Sequence, residues 1–178
     1  TQALHLCFSR DVQVHWMGGG GRYLGGSAPG AGGVQRRIRQ YEALGSHTFR
    51  LARAQELVCA KLRMQLAFLL RATRGRLRSE QNHRSIRDLR ACLRNLPGCS
   101  DLEQLRGLEG QGGQAYFASL DGLLLEDLPD VFRFRGRSRR PPQDPVNALL
   151  SFGYQLLYRD MVSALLVVGL EPSFGILH

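Results

Sequence analysis

Val12, Val14 and Trp16 recur at every second position, the period of a strand with one face covered, and Gly18 to Gly21 then turn the chain into Arg22-Tyr23-Leu24. The spacing predicts a hairpin. Leu4, Leu6 and Phe8 also alternate, yet Thr1 fits the cap of a short helix, so the first residues read either way. From Gly25 to Gly33 the chain is small and Gly-rich, as a linker is, and beyond it the hydrophobic period becomes helical. A domain boundary is therefore placed between residues 32 and 33.

Val34 to Leu44 reads as a basic helix, and Ser46 to Thr73 as a longer one with Leu51, Val58, Leu62, Leu66 and Leu69 on one face. Arg50, Arg53, Arg63, Arg71 and Arg74 decorate that segment as a solvated helix surface. Leu77 to Leu96 is a further helix, stopped by Pro97-Gly98. Ser100 and Glu103 have the spacing of a capping box, and Leu102, Leu105, Leu108 and Tyr116 carry the helical period onward. This places Glu109 about two turns inside a helix loosened by Gly107, Gly110, Gly112 and Gly113. A glycine costs a helix up to about 1 kcal/mol relative to alanine, so a close neighbour is expected there. Asp144-Pro145 starts the last helix, which runs to Val168 before Gly169 and Pro172 stop it. Its apolar stretch, Val146 to Leu170, contains Asn147, Ser151, Gln155, Arg159 and Asp160, which suits a buried helix better than a lipid-spanning one.

Charge changes the picture. The 178 residues carry a formal charge of +9, and of 24 basic side chains only Lys61 is a lysine, which leaves 23 arginines. A guanidinium fork suits phosphate oxygens better than an ammonium does, so a polyanion is the expected partner. Arg133, Arg135, Arg137, Arg139 and Arg140 crowd the loop FRFRGRSRRPPQ, where helix packing does not require them, and they read as phosphate contacts. Cys7, Cys59, Cys92 and Cys99 form no C-x-x-C pair and have no histidine at zinc spacing; reduced core thiols are expected. The glycine run lacks the Gly-Lys-Ser/Thr of a phosphate-binding loop, no G-x-S-x-G surrounds any serine, and no secretory signal opens the chain, which points to the cytoplasm. His5, His15, His47 and His83 lack a carboxylate at helical spacing, and His178 stays open. The residues alone reach a basic helical protein that binds nucleic acid.

Three blocks carry the reading further. LRGLEGQGGQAYF, RSRRPPQDPVNALLSFGYQLLYRD and GLEPSFGILH, in this order, closely resemble the signature blocks of the CRISPR-associated protein one family, the integrases of CRISPR spacer acquisition. VQVHWMGGGGRYLGG and RQYEALG resemble that family's passage from its β-rich N-terminal domain into its helical one. The resemblance implies an α+β fold, with residues 1–32 ending a small β-rich domain and residues 33–178 forming a mainly α-helical catalytic domain. It implies that Glu109 and His178 bind Mg2+ or Mn2+, and that the 3' hydroxyl of a captured DNA fragment attacks a phosphodiester of the CRISPR repeat by transesterification. Tyr158 and Asn147 take signature positions beside the DNA, with helix packing as the alternative role for both. A third ligand, an Asp, and the first strands of the family's N-terminal domain are not in the 178 residues, so the chain reads as part of a longer prokaryotic protein. The implied partners are double-stranded DNA, a second copy in a homodimer, the small CRISPR-associated protein two, and a CRISPR-associated protein four nuclease, separate or fused. Two other readings stay open: a non-catalytic basic DNA-binding subunit with the same fold, and an arginine-rich RNA-binding protein.

Overall fold

A computed structural model describes residues 2–18, 23–27, 33–75, 77–124 and 127–177. Six helices and one two-stranded sheet appear among them in the order α1 (Gln2–Ser9), β1 (Val14–Met17), β2 (Tyr23–Ser27), α2 (Val34–Gly45), α3 (His47–Ala72), α4 (Glu80–Asn95), α5 (Leu102–Ala118) and α6 (Pro145–Val167). They divide into two compact units. One takes in the residues up to Gly45 and Ala148–Gly175; the other takes in Ser46–Asn147 and the C-terminal residues from Ile176.

In the first unit the opening residues are helical, and their strand-like alternation is overridden by local hydrogen bonding. The Cys7 carbonyl accepts from the amides of both Arg10 and Val12 and turns the chain toward β1. The hairpin forms antiparallel, pairing Val14 with Ser27 and Trp16 with Gly25, with an irregularity between Trp16 and Met17. Strand β2 thus reaches Ser27, into the segment whose composition suggests a linker; the rest of that segment, 28–32, and the glycine turn, 19–22, lie outside the described residues. Helix α2 meets the end of α6 at two glycines with positive φ, Gly33 at 100° and Gly169 at 75°. A Cβ on Gly33 would stand 2.7 Å from the Gly169 Cα, so only glycine fits. Gln40 exchanges two hydrogen bonds with the Glu171 backbone, and Tyr41 meets Phe174 edge to face at 5.2 Å between centroids. Glu171 itself accepts from the Ser173 amide, and this bond, helped by Arg37, holds its carboxyl below the ordinary value.

The second unit is a three-helix core. Ser46 caps α3 through the Phe49 amide and Ser79 caps α4 through the Asn82 amide, so α4 starts at Glu80 and Leu77 stays outside it, fully exposed. At α5 the cap is Asp101, which accepts from the Gln104 amide at 2.8 Å, while Ser100 bonds to the Gln104 side chain. The cap is one residue later than the Ser100–Glu103 spacing suggests, because a carboxylate is a stronger acceptor for helix-end amides than a hydroxyl. Val58, Leu62, Leu69, Leu89 and Leu105 form the buried centre. Cys92 lies in it, and burial, with Asp88 nearby, pushes its thiol up; Cys7, Cys59 and Cys99 are only half-buried, and all four thiols are free.

Gly112 explains part of the glycine-rich stretch. A Cβ there would come within 2.2 Å of the Leu62 Cδ2, so α3 and α5 approach as closely as they do because Gly112 has no side chain. Gly107, Gly110 and Gly113 have open space instead.

Candidate active site

Glu109 sits in the middle of α5, with its side chain 19% exposed, and its Oε1 accepts from the Nζ of Lys61 on α3. The pairs Arg53–Glu56, Arg84–Glu80 and Arg159–Asp160 are local in sequence; Lys61–Glu109 instead joins two helices. The sole lysine of the chain is therefore the counter-ion of the one acid that the signature block singles out.

The C-terminal peptide comes to the same helices. Arg50 of α3 donates from Nε to the Ile176 carbonyl at 2.7 Å, and Arg106 of α5 donates from Nε to the Leu177 carbonyl at 2.7 Å. Ile176 and Leu177 also pack against the core of this unit. Arg106 precedes Glu109 by three residues, one helical turn. Arg50 is thus not the idle surface charge that its position on α3 suggests. His178, which follows Leu177 in sequence, lies outside the described residues.

The arginine loop is anchored to the far end of α5. The Phe134 ring packs on Phe117 with 6.4 Å between centroids, and the Phe134 amide donates to Asp121 Oδ1 at 2.9 Å. Phe117 lies eight residues beyond Glu109, about 12 Å along the helix axis. Asn147 organises the rest of the loop. It is fully buried, its Oδ1 accepts from Arg137 Nη1 and from the Ser138 amide at 2.9 Å each, and its Nδ2 donates to the Gly136 carbonyl and to Asp144. The helix cap is part of this network, since Asp144 Oδ1 accepts from the Asn147 amide at 2.7 Å.

Of the residues expected at DNA, Arg135, Arg139 and Arg140 are exposed and Arg133 is half-buried. Arg137 is half-buried and held by Asn147 and the Ser138 carbonyl. Asn147 presents no surface, so any part it has in a DNA contact is indirect, through the loop that it fixes. Tyr158 belongs to the first unit and is exposed on α6.

The model of the family described as CRISPR associated protein Cas1 matches residues 1–178. The chain belongs to the Cas1 family. It is 49% identical over its full length to a CRISPR-associated exonuclease Cas4/endonuclease Cas1 fusion of Myxococcus xanthus, of which it covers 32%. It is 36% identical over 98% of its length to a CRISPR-associated endonuclease Cas1 of Thermus thermophilus, of which it covers 49%. The chain thus spans about a third of such a fusion and about half of such a free-standing relative. A CAS1 protein from Thermotoga maritima superposes on 99% of the chain with a TM-score of 0.79 at 25% identity, and covers 54% of its own length in doing so. A Cas6-RT-Cas1–Cas2 complex matches with the same TM-score at 29% identity.

The mostly helical architecture with a small two-stranded sheet agrees with the α+β expectation. Among the described residues no group of three His, Cys, Asp or Glu side chains converges as a metal site, and no helix is long and apolar enough to cross a membrane. The donor chemistry of Glu109 nevertheless fits a cation ligand, since its carboxylate already holds a positive charge and the next turn of the helix, at Gly113, is unfilled. Two residues that matter here, Arg106 and Lys61, have no role in the sequence reading. The signal for Lys61 is its uniqueness among 24 basic side chains.

Proposed function

We propose that the intact protein carrying this chain is a divalent-metal-dependent DNA integrase and endonuclease, which inserts captured DNA fragments into a CRISPR array by transesterification. The observation that carries the reading is the placement of Glu109: a half-buried carboxylate paired with a cation, one turn from the arginine that docks the peptide leading to His178. Glu109 and His178 would hold Mg2+ or Mn2+, and a bound divalent ion supplies Lewis-acid activation of a phosphoryl oxygen.

The chain's own residues supply the rest. Arg50 and Arg106 hold the C-terminal peptide against α3 and α5, which keeps two distant stretches of sequence on one face. Arg133, Arg135, Arg139 and Arg140 grip the DNA backbone from a loop whose shape Asn147 sets, and Arg137 is chiefly a strut of that loop. Strand exchange replaces one phosphodiester by another, so no nucleotide cofactor is called for. The named relatives support the partners: DNA, a second copy of the chain, a Cas2 protein as in the Cas6-RT-Cas1–Cas2 complex, and a Cas4 nuclease as in the fusions.

A second reading, a basic DNA-binding subunit without catalysis, is favoured by the exposed arginine loop alone. Glu109→Gln in the intact protein separates the two. The first expects DNA binding kept and strand transfer lost; the second expects no strand transfer in the parent either.

A further inference from the structure

The Lys61–Glu109 pair is too exposed to matter much for stability. Lys61 is 46% exposed, and ion pairs at such sites are weak because water and salt screen them. A weak pair is also a displaceable one. The surroundings of Lys61 show where its ammonium would go. Gln65 stands four residues further along α3, on the same side of the helix as Lys61, and its Oε1 is buried with no hydrogen-bond partner among the described residues. A buried amide oxygen left without a donor is costly, and native chains rarely keep one unless another state of the molecule supplies the donor.

We propose that Lys61, Gln65 and Glu109 form a cation-exchange site, in which Lys61 is the resident counter-ion of Glu109 and moves to the buried Gln65 Oε1 once the carboxylate takes a divalent ion. This rests on the reading of Glu109 as a metal ligand and adds two positioning residues to it. The exchange moves no proton and breaks no covalent bond: Lys61 stays an ammonium throughout and changes its acceptor from a carboxylate to an amide oxygen. Its charge stays beside the site, where it faces the phosphate of a bound strand. In the absence of a divalent ion Lys61 keeps the carboxylate neutralised and fixed, so the site is preorganised but closed to weakly bound cations.

The test is Mn2+ binding, followed by the paramagnetic resonance signal of the free ion, on the intact protein and on Lys61→Met, Lys61→Arg, Gln65→Leu, the Lys61→Met/Gln65→Leu double variant and Glu109→Gln. Thermal melts without metal check that each variant is folded. Removing the competing ammonium should tighten Mn2+ binding by about threefold to fivefold, the range set by the strength of exposed pairs, and Lys61→Arg, which keeps a cation, should lie close to the parent. Gln65→Leu should weaken binding in the presence of Lys61 and have no effect in its absence. Lys61→Met binding no tighter than the parent overturns the proposal, and so does a Gln65→Leu loss of the same size with and without Lys61. Failure of Lys61→Met while Glu109→Gln abolishes binding leaves the metal reading of Glu109 intact and removes only the exchange. Glu109→Gln binding like the parent removes both.

Discussion

The Nε of Arg106 donates to the Leu177 carbonyl across 2.7 Å, and so ties the C-terminal peptide to α5 one turn ahead of Glu109. A hydrogen bond from a charged donor is worth about 1.5–3 kcal/mol, the lower end applying to an exposed arginine such as this one. Arg106→Ala should therefore speed hydrogen exchange of the backbone around Leu177 by about tenfold while the three-helix core keeps its protection. Unchanged exchange at the C-terminal residues would mean that packing of Ile176 and Leu177 alone holds the peptide.

Two glycines of α5 should respond in opposite directions. Gly112→Ala drives a methyl into Leu62 and should cost about 1–3 kcal/mol in denaturant unfolding, as overpacking does. Gly110→Ala meets open space and should gain up to about 1 kcal/mol from helix propensity. If both substitutions stabilise, the close approach of α3 to α5 is wrong.

Asn147→Ala strips the loop of its central acceptor and donor. The Ser138 amide, Arg137 and the Gly136 carbonyl then lose a partner together, for a loss of about 1–3 kcal/mol measured by denaturant unfolding. Asn147→Asp should be worse than its near-identical shape suggests, since the new carboxylate faces Asp144. Equal stability of parent and both variants would show that the loop does not depend on this amide.

Arg135, Arg139 and Arg140 should act through salt dependence. Each one removed should flatten the log–log slope of DNA affinity against salt by about one unit per lost phosphate contact. Arg137→Ala should instead resemble Asn147→Ala, with a stability loss larger than its effect on the slope. Identical slopes in the parent and the triple variant would exclude these arginines from the backbone.

Much of this fold is legible where one interaction range decides it. The hairpin, the long α3 and the Asp144-Pro145 start of α6 follow from alternation, helical period and caps, all within a few residues of one another. The misplaced features depend on competition between neighbours: Ser100 against Asp101 for the α5 cap, and a strand against a helix for Leu4 to Phe8. The site divides in the same way. Glu109 stands out through the motif around it, but the partnerships of Lys61 with Glu109, 48 residues apart, and of Arg106 with Leu177, 71 residues apart, exist only once helices pack. Asn147 shows the limit of a motif: its position is marked, yet its burial and its role in shaping a loop come from contacts with Gly136, Arg137 and Ser138.

The most direct test of the account is strand transfer by the intact protein with Glu109→Gln, a change that keeps the side chain's shape and removes its charge. Joining of a DNA 3' end to a CRISPR repeat should be lost in Mg2+ and in Mn2+, while DNA affinity and melting temperature stay near those of the parent. Strand transfer at the parental rate would contradict the account.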